Sequence, residues 1–188
     1  ILDDEKGGRY KISPTSDGIT NKQMYWPETN VLVTRFLSPD GVGEVIDFMP
    51  VGQADGEIGY HQLIRRVHVV RGSMTFQMEC QPAFNYARDE HETSIMPGGA
   101  MFSSTNACLQ LATTVPLRQE GNAAVAQFTL MEGEIANFVL GSASPETADP
   151  CTPISDLETD NLFKSTVDYW RNWISKSNYK GRWLEMVE

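Results

Sequence analysis

The 188 residues carry 40% hydrophobic and 21% charged side chains, enough for one domain with a real core and unlike a disordered chain. Twenty-five acids against fifteen bases leave a net charge of −10, which argues against a nucleic-acid surface, because phosphate binding needs clustered Lys and Arg. No apolar run approaches the length of a membrane span, and the opening residues ILDDEKGGRY are not a signal peptide.

Residues 9–12 form a short run that ends at Pro14, and Ser16-Asp17-Gly18 is a turn signal. Residues 22–26 are strand-like and stop at Pro27. Residues 30–37 are a better strand, with Val31, Val33 and Arg35 alternating against Leu32, Thr34 and Phe36. Ser38-Pro39-Asp40-Gly41 is a strong turn, and residues 44–49 follow at hairpin distance. Residues 51–60 are Gly-rich and polar, a surface loop. Residues 61–70 read as a long strand with Leu63, Arg65, Val67 and Val69 on one face and Ile64, Arg66, His68 and Val70 on the other. Arg71-Gly72 is expected to turn the chain into a second strand, residues 73–81, with Met74, Phe76, Met78 and Cys80 inward.

Residues 84–93 read as a charged loop. Short strands flank Pro97-Gly98-Gly99, and residues 108–113 and 123–130 are further strands separated by a loop at residues 116–122. Glu132-Gly133-Glu134 turns into residues 135–140, and residues 142–153 form a linker with three prolines. About ten short strands at this spacing predict a mainly β chain, an antiparallel β-sandwich.

The tail is different. Phe163, Val167, Trp170 and Ile174 recur at helical offsets, and Ser155 with Glu158 is a capping box, in which each side chain satisfies an unpaired backbone N–H. The predicted helix stops near Asn178, and residues 182–188 begin another helix-like run. The expected organisation is a β-sandwich over residues 1–153, a linker helix over 154–178, and the start of a second, helical domain over 179–188.

Candidate chemistry is sparse. Cys80, Cys108 and Cys151 are odd in number and widely spaced, so they read as buried free thiols, which favours a reducing compartment and a cytoplasmic location. His91 beside Asp89, Glu90 and Glu92 lacks a second histidine at ligand spacing and reads as a solvated loop; no metal and no cofactor are expected. Glu28, in Tyr25-Trp26-Pro27-Glu28-Thr29-Asn30, is the acid of most interest: sugars stack on flat rings and hydrogen-bond to carboxylates, so Trp26 and Glu28 are the candidate substrate contacts. The plainer reading of that stretch is a strand-entry turn packed by Trp26. Trp170, Trp173 and Trp183 are candidate contacts to another domain, and an exposed tryptophan face would also let the chain self-associate.

Tyr25-Trp26-Pro27-Glu28-Thr29-Asn30-Val31-Leu32, Thr34-Arg35-Phe36 and Val45-Ile46-Asp47-Phe48-Met49-Pro50-Val51, with Leu63-Ile64-Arg65-Arg66-Val67, Phe84-Asn85-Tyr86 and Tyr169-Trp170-Arg171-Asn172-Trp173, resemble the N-terminal region of glycoside hydrolase family 15 proteins. That group includes prokaryotic-type glucoamylases, related α-glucosidases and trehalases. The resemblance implies a two-domain enzyme in which an N-terminal β-sandwich is joined by a linker helix to an (α/α)6 barrel. The barrel holds two catalytic glutamates that hydrolyse α-glucosides with inversion. It further implies that the family's opening segment precedes Ile1, that the barrel follows Glu188, and that residues 1–188 hold no catalytic residue. The alternatives are a stand-alone carbohydrate-binding module or a structural, oligomerising domain.

Overall fold

The structure, a computed structural model, describes residues 6–51, 62–143, 151–179 and 181–182. Among the described residues eleven strands precede one α-helix: β1 Arg9–Pro14, β2 Thr20–Tyr25, β3 Leu32–Leu37, β4 Gly41–Phe48, β5 Gln62–Gln81, β6 His91–Met96, β7 Gly99–Ser104, β8 Cys108–Thr113, β9 Arg118–Glu120, β10 Ala123–Met131, β11 Ile135–Ser142 and α1 Asp156–Ile174. All strand pairs are antiparallel. The expected mainly β sandwich with a trailing helix is what forms.

The larger sheet runs β2-β3-β4-β5-β11-β8-β7-β6, and the smaller is made by β1, β5, β10 and β9. Both sheets share β5. Its first half pairs with β4 and β11, its second with β1 and β10. Arg71-Gly72 is therefore not a turn between two strands, as the sequence suggested, but a bend within one strand of twenty residues. Opposite Val42 and Gly43 the register slips from Arg71 to Val69, a bulge that bends the strand. Gly72 takes φ +73, and a Cβ there would stand 2.1 Å from the Asp40 carbonyl oxygen, so no other residue fits without a shift.

Backbone groups left over at the bend are satisfied by the β10–β11 turn. Gly72 O accepts from Glu132 N (2.8 Å), Gly72 N donates to the Glu132 carboxylate (3.2 Å), and Val69 O accepts from Gly133 N (2.9 Å).

The main core lies between the sheets. Phe36, Val45, Val67, Val69, Phe102, Leu111 and Phe138 face Met74, Phe76, Met78, Ala124 and Ala126 across it. A second core lies on the other face of the larger sheet, where Val33, Ile46, Phe48, Ile64, Ala112 and Val139 pack under α1. The molecule thus has three layers, sheet, sheet and helix, and the middle strands are buried on both faces. This is why Val45 and Ile46 are adjacent yet both buried.

Smaller differences from expectation have local causes. Residues 118–120 of the expected loop form β9, which pairs with the start of β10. Strand β6 takes in His91–Thr93 because it pairs with β7 along its whole length. The expected loop at residues 52–60, His61, most of the proline linker and Trp183 lie outside the described residues.

Candidate functional site

Helix α1 begins at the predicted capping box. Ser155 Oγ accepts from Glu158 N (3.2 Å), and Ser155 N donates to Glu158 Oε2 (2.9 Å), so both otherwise unpaired donors are satisfied. The Ser155 N–H and then its hydroxyl, which also donates to Glu158 Oε2 (2.7 Å), hold the Glu158 carboxyl below its ordinary range. The buried stripe is Thr159, Leu162, Phe163, Thr166 and Val167. Both threonines are fully buried, with Thr159 Oγ1 donating to Ser155 O (3.0 Å) and Thr166 Oγ1 to Leu162 O (2.7 Å). With its hydroxyl bound to its own helix, a threonine packs as a small apolar residue.

Polar contacts register the first turns of the helix on the sheet. Buried Asn137 of β11 donates to Asp156 Oδ1 (2.6 Å), and Arg66 of β5 donates to Asp160 Oδ1 (3.2 Å). Asp160 also binds Lys164 one turn on (2.6 Å), and these two cations, Lys164 first, hold its carboxyl below the usual aspartate range. Further along, contacts become aromatic. Phe163 meets Trp26 edge-on at 5.3 Å and Phe48 at 5.8 Å. Trp26 comes from the β2–β3 loop, where Glu28 takes φ +62 and its carboxylate sits 3.8 Å from the Arg171 guanidinium.

The predicted site residues thus divide. Trp26 meets α1 near its middle, at Phe163, and Glu28 meets it further along, at Arg171, the neighbour of Trp170 in the chain. Trp170 stacks edge-on with Tyr169 (5.4 Å) and Trp173 (5.9 Å), and its buried indole N–H has no partner among the described residues. Trp173 is 54% exposed and Tyr169 43%, a face of large rings turned to solvent. Helical periodicity found the buried side of α1; the exposed rings are visible only once the sheet shows which side is covered.

Beside the helix, a row of charges crosses the larger sheet. Glu44 of β4 is buried and accepts from Arg35 of β3, and His68 Nε2 lies 3.5 Å from its other oxygen. Burial lowers the His68 pKa, and the Glu44 charge opposes that shift. His91 Nε2 lies 3.1 Å from the Asn122 carbonyl, with its ring against Phe84 (5.3 Å). No group of three His, Cys, Asp or Glu able to hold a metal ion occurs among the described residues. Cys80, Cys108 and Cys151 are free and buried, and burial pushes the Cys80 thiol to about 12. Among the described residues no helix is long and apolar enough to cross a membrane.

Fold and faces define the class: a β-sandwich flanked by one helix that leaves an aromatic side open. No family model matches the chain. Its relatives are proteins named trehalase. It is 30% identical over 192 residues to the trehalase of Thermoplasma acidophilum, a match covering 100% of this chain and 32% of that protein. It is 26% identical over 177 residues to trehalase 1 of Sulfolobus acidocaldarius, covering 93% and 28%. It is 24% identical over 201 residues to the trehalase of Mycobacterium tuberculosis, covering 94% and 28%. The chain therefore spans about a third of the length of the curated relatives it matches. The resemblance read from short motifs is carried end to end: the whole chain is similar to the N-terminal part of trehalases.

Proposed function

We propose that this chain is the non-catalytic N-terminal β-sandwich of a trehalase-like α-glucoside hydrolase, and that the open side of α1, with Trp170 and Trp173, seats the catalytic part. The observation that carries this is the full-length match to about a third of each trehalase. The exposed rings of Tyr169 and Trp173 support the seat, since large aromatic side chains are the usual anchors of a contact surface. In the whole enzyme an acid protonates the leaving oxygen of a terminal glucosidic bond while a base activates water. Three free buried thiols support a reducing, cytoplasmic setting.

The test is glucose release from trehalose, maltose and isomaltose by this chain and by the chain extended past Glu188. Activity in the extended chain alone is expected. Hydrolysis by residues 1–188 would overturn the non-catalytic reading, and a folded but silent extended chain would overturn the enzyme reading. In an active extended chain, Trp173→Ala is expected to lower the melting temperature, while changing this chain by less than about 0.5 kcal/mol.

A second reading gives the β2–β3 loop a sugar contact. It is favoured by Glu28, whose left-handed backbone is uncommon for a residue with a Cβ and whose carboxylate is half exposed. Glu28→Gln is the clean probe, because removing Trp26 would also strip the packing of Phe163.

A further inference from the structure

The inner face of a sandwich sheet is ordinarily apolar, and here one corner of it is not. Asn21 and Gln23 of β2, Thr34 of β3, Asp47 of β4 and Arg65 of β5 line a cleft of about 330 Å³ together with Phe36 and Val45 of the inter-sheet core. The register makes this a continuous surface: Gln23 lies opposite Thr34, Asn21 opposite Phe36, and Asp47 opposite Arg65. The cleft's other wall is β1, an edge strand of the smaller sheet, which adds Tyr10, Lys11 and Ser13. Strand β2 is exposed along its whole length among the described residues.

The polar groups are held in place and their charges are largely matched. Arg65 donates Nε and Nη2 to the two oxygens of Asp47 (2.8 and 3.1 Å) and Nη1 to Tyr10 O (2.6 Å), with its guanidinium 4.6 Å over the Tyr10 ring. Arg9, at the rim, is paired with Glu79 at 2.6 Å. Both arginines are thus engaged, and Lys11 is the one charged group of the cleft without an ion pair among the described residues. The other open groups are neutral. Gln23 Nε2 donates to Thr34 Oγ1 (3.1 Å), which leaves the Gln23 carbonyl oxygen and second N–H, and the Asn21 amide has no partner among the described residues. Strand alternation puts Tyr25 on the same face as Gln23, one pair further along, and its ring is 65% exposed.

Amides, hydroxyls, a fixed carboxylate–guanidinium pair and a flat ring further along the same strand face suit a ligand that is all hydroxyls and has an apolar face. We propose that this cleft binds a short neutral saccharide. Its volume is at the small end of ligand sites and fits a mono- or disaccharide. The site is distinct from Trp26 and Glu28, since Trp26 packs against the helix on the opposite side of the larger sheet. Recognition of a polyhydroxylated ligand rests on the cleft alone; preferring glucose-based sugars rests on the trehalase-like reading.

The experiment is a two-dimensional amide NMR titration of this chain with trehalose, maltotriose, xylotriose and mannotriose. Saturable shifts confined to β1–β4 and the stretch of β5 around Arg65 are expected, with a Kd of about 1 mM. Gln23→Ala and Tyr25→Ala, both on an exposed strand, are each expected to weaken binding about tenfold, and Trp173→Ala to leave it unchanged. Asn21→Ala replaces either variant if its spectrum is not that of a folded chain. Binding of xylotriose or mannotriose alone would keep the site and overturn only the glucose preference. No shift at the cleft with any of the sugars well above millimolar, or binding indifferent to both substitutions, would overturn the proposal. Glucose release by the extended chain is a separate readout, so the two proposals fail separately.

Discussion

Tyr10 shows how much one hydroxyl can hide. Its ring packs against the inter-sheet core and under Arg65, and its buried Oη has no partner among the described residues. Burial first, with the neighbouring Cys80 adding, pushes its pKa well above the usual tyrosine value, so the phenol stays neutral throughout the working pH range. A buried, unpaired hydroxyl costs stability that removing it recovers. Tyr10→Phe is therefore expected to raise the stability of the chain by about 1 kcal/mol, read as a higher urea midpoint at constant m-value. A fall of similar size would mean that the hydroxyl has a partner. Thr159 and Thr166 are the opposite case: each hydroxyl is spent on its own helix, so the side chain is apolar in effect although polar in any hydropathy scale. That is why the sequence placed Phe163, Val167, Trp170 and Ile174 on the buried stripe but not the two threonines at its centre.

Elements were legible where their signals are local. The capping box, the β3–β4 hairpin with its Ser38–Gly41 turn, and the alternation of Met74, Phe76, Met78 and Cys80 all rest on neighbours within a few residues. Long-range facts were not legible. Nothing near Arg71-Gly72 in the chain says that a bulge and the β10–β11 turn will carry one strand through the bend, because the satisfying groups come from Glu132 and Gly133. Likewise, the sequence singled out Trp26 and Glu28 but could not place Phe163 and Arg171 beside them. The helix ends at Ile174 rather than near Asn178, with Ser175 N donating to Arg171 O at its close. The helix start is the better determined end, and it is open to measurement. Ser155→Ala removes the serine side chain's half of the capping box, leaving the residue 155 N–H on the Glu158 carboxylate, and is expected to cost about 1 kcal/mol in denaturant unfolding. A cost near zero would mean that Asn137 and Arg66 fix the first turn on the sheet without that half.

At the scale of the molecule, the arrangement is a sandwich with two unlike outer surfaces. One carries α1 and its solvent-facing rings; the other is the small sheet, whose edge at β1 opens onto the polar corner. Strand β5 joins the two halves, pairing with β4 and β11 at one end and with β1 and β10 at the other. A strand common to both sheets has a consequence for how the molecule comes apart. Neither sheet can open without breaking pairs along a backbone that the other still holds, so the two are one cooperative unit. Native-state hydrogen exchange reads this directly: the amides of Val67 and Val69 are expected to exchange with the same opening free energy as those of Phe76 and Met78. Two well-separated free energies would mean that the bend at Gly72 is a hinge between units that melt independently.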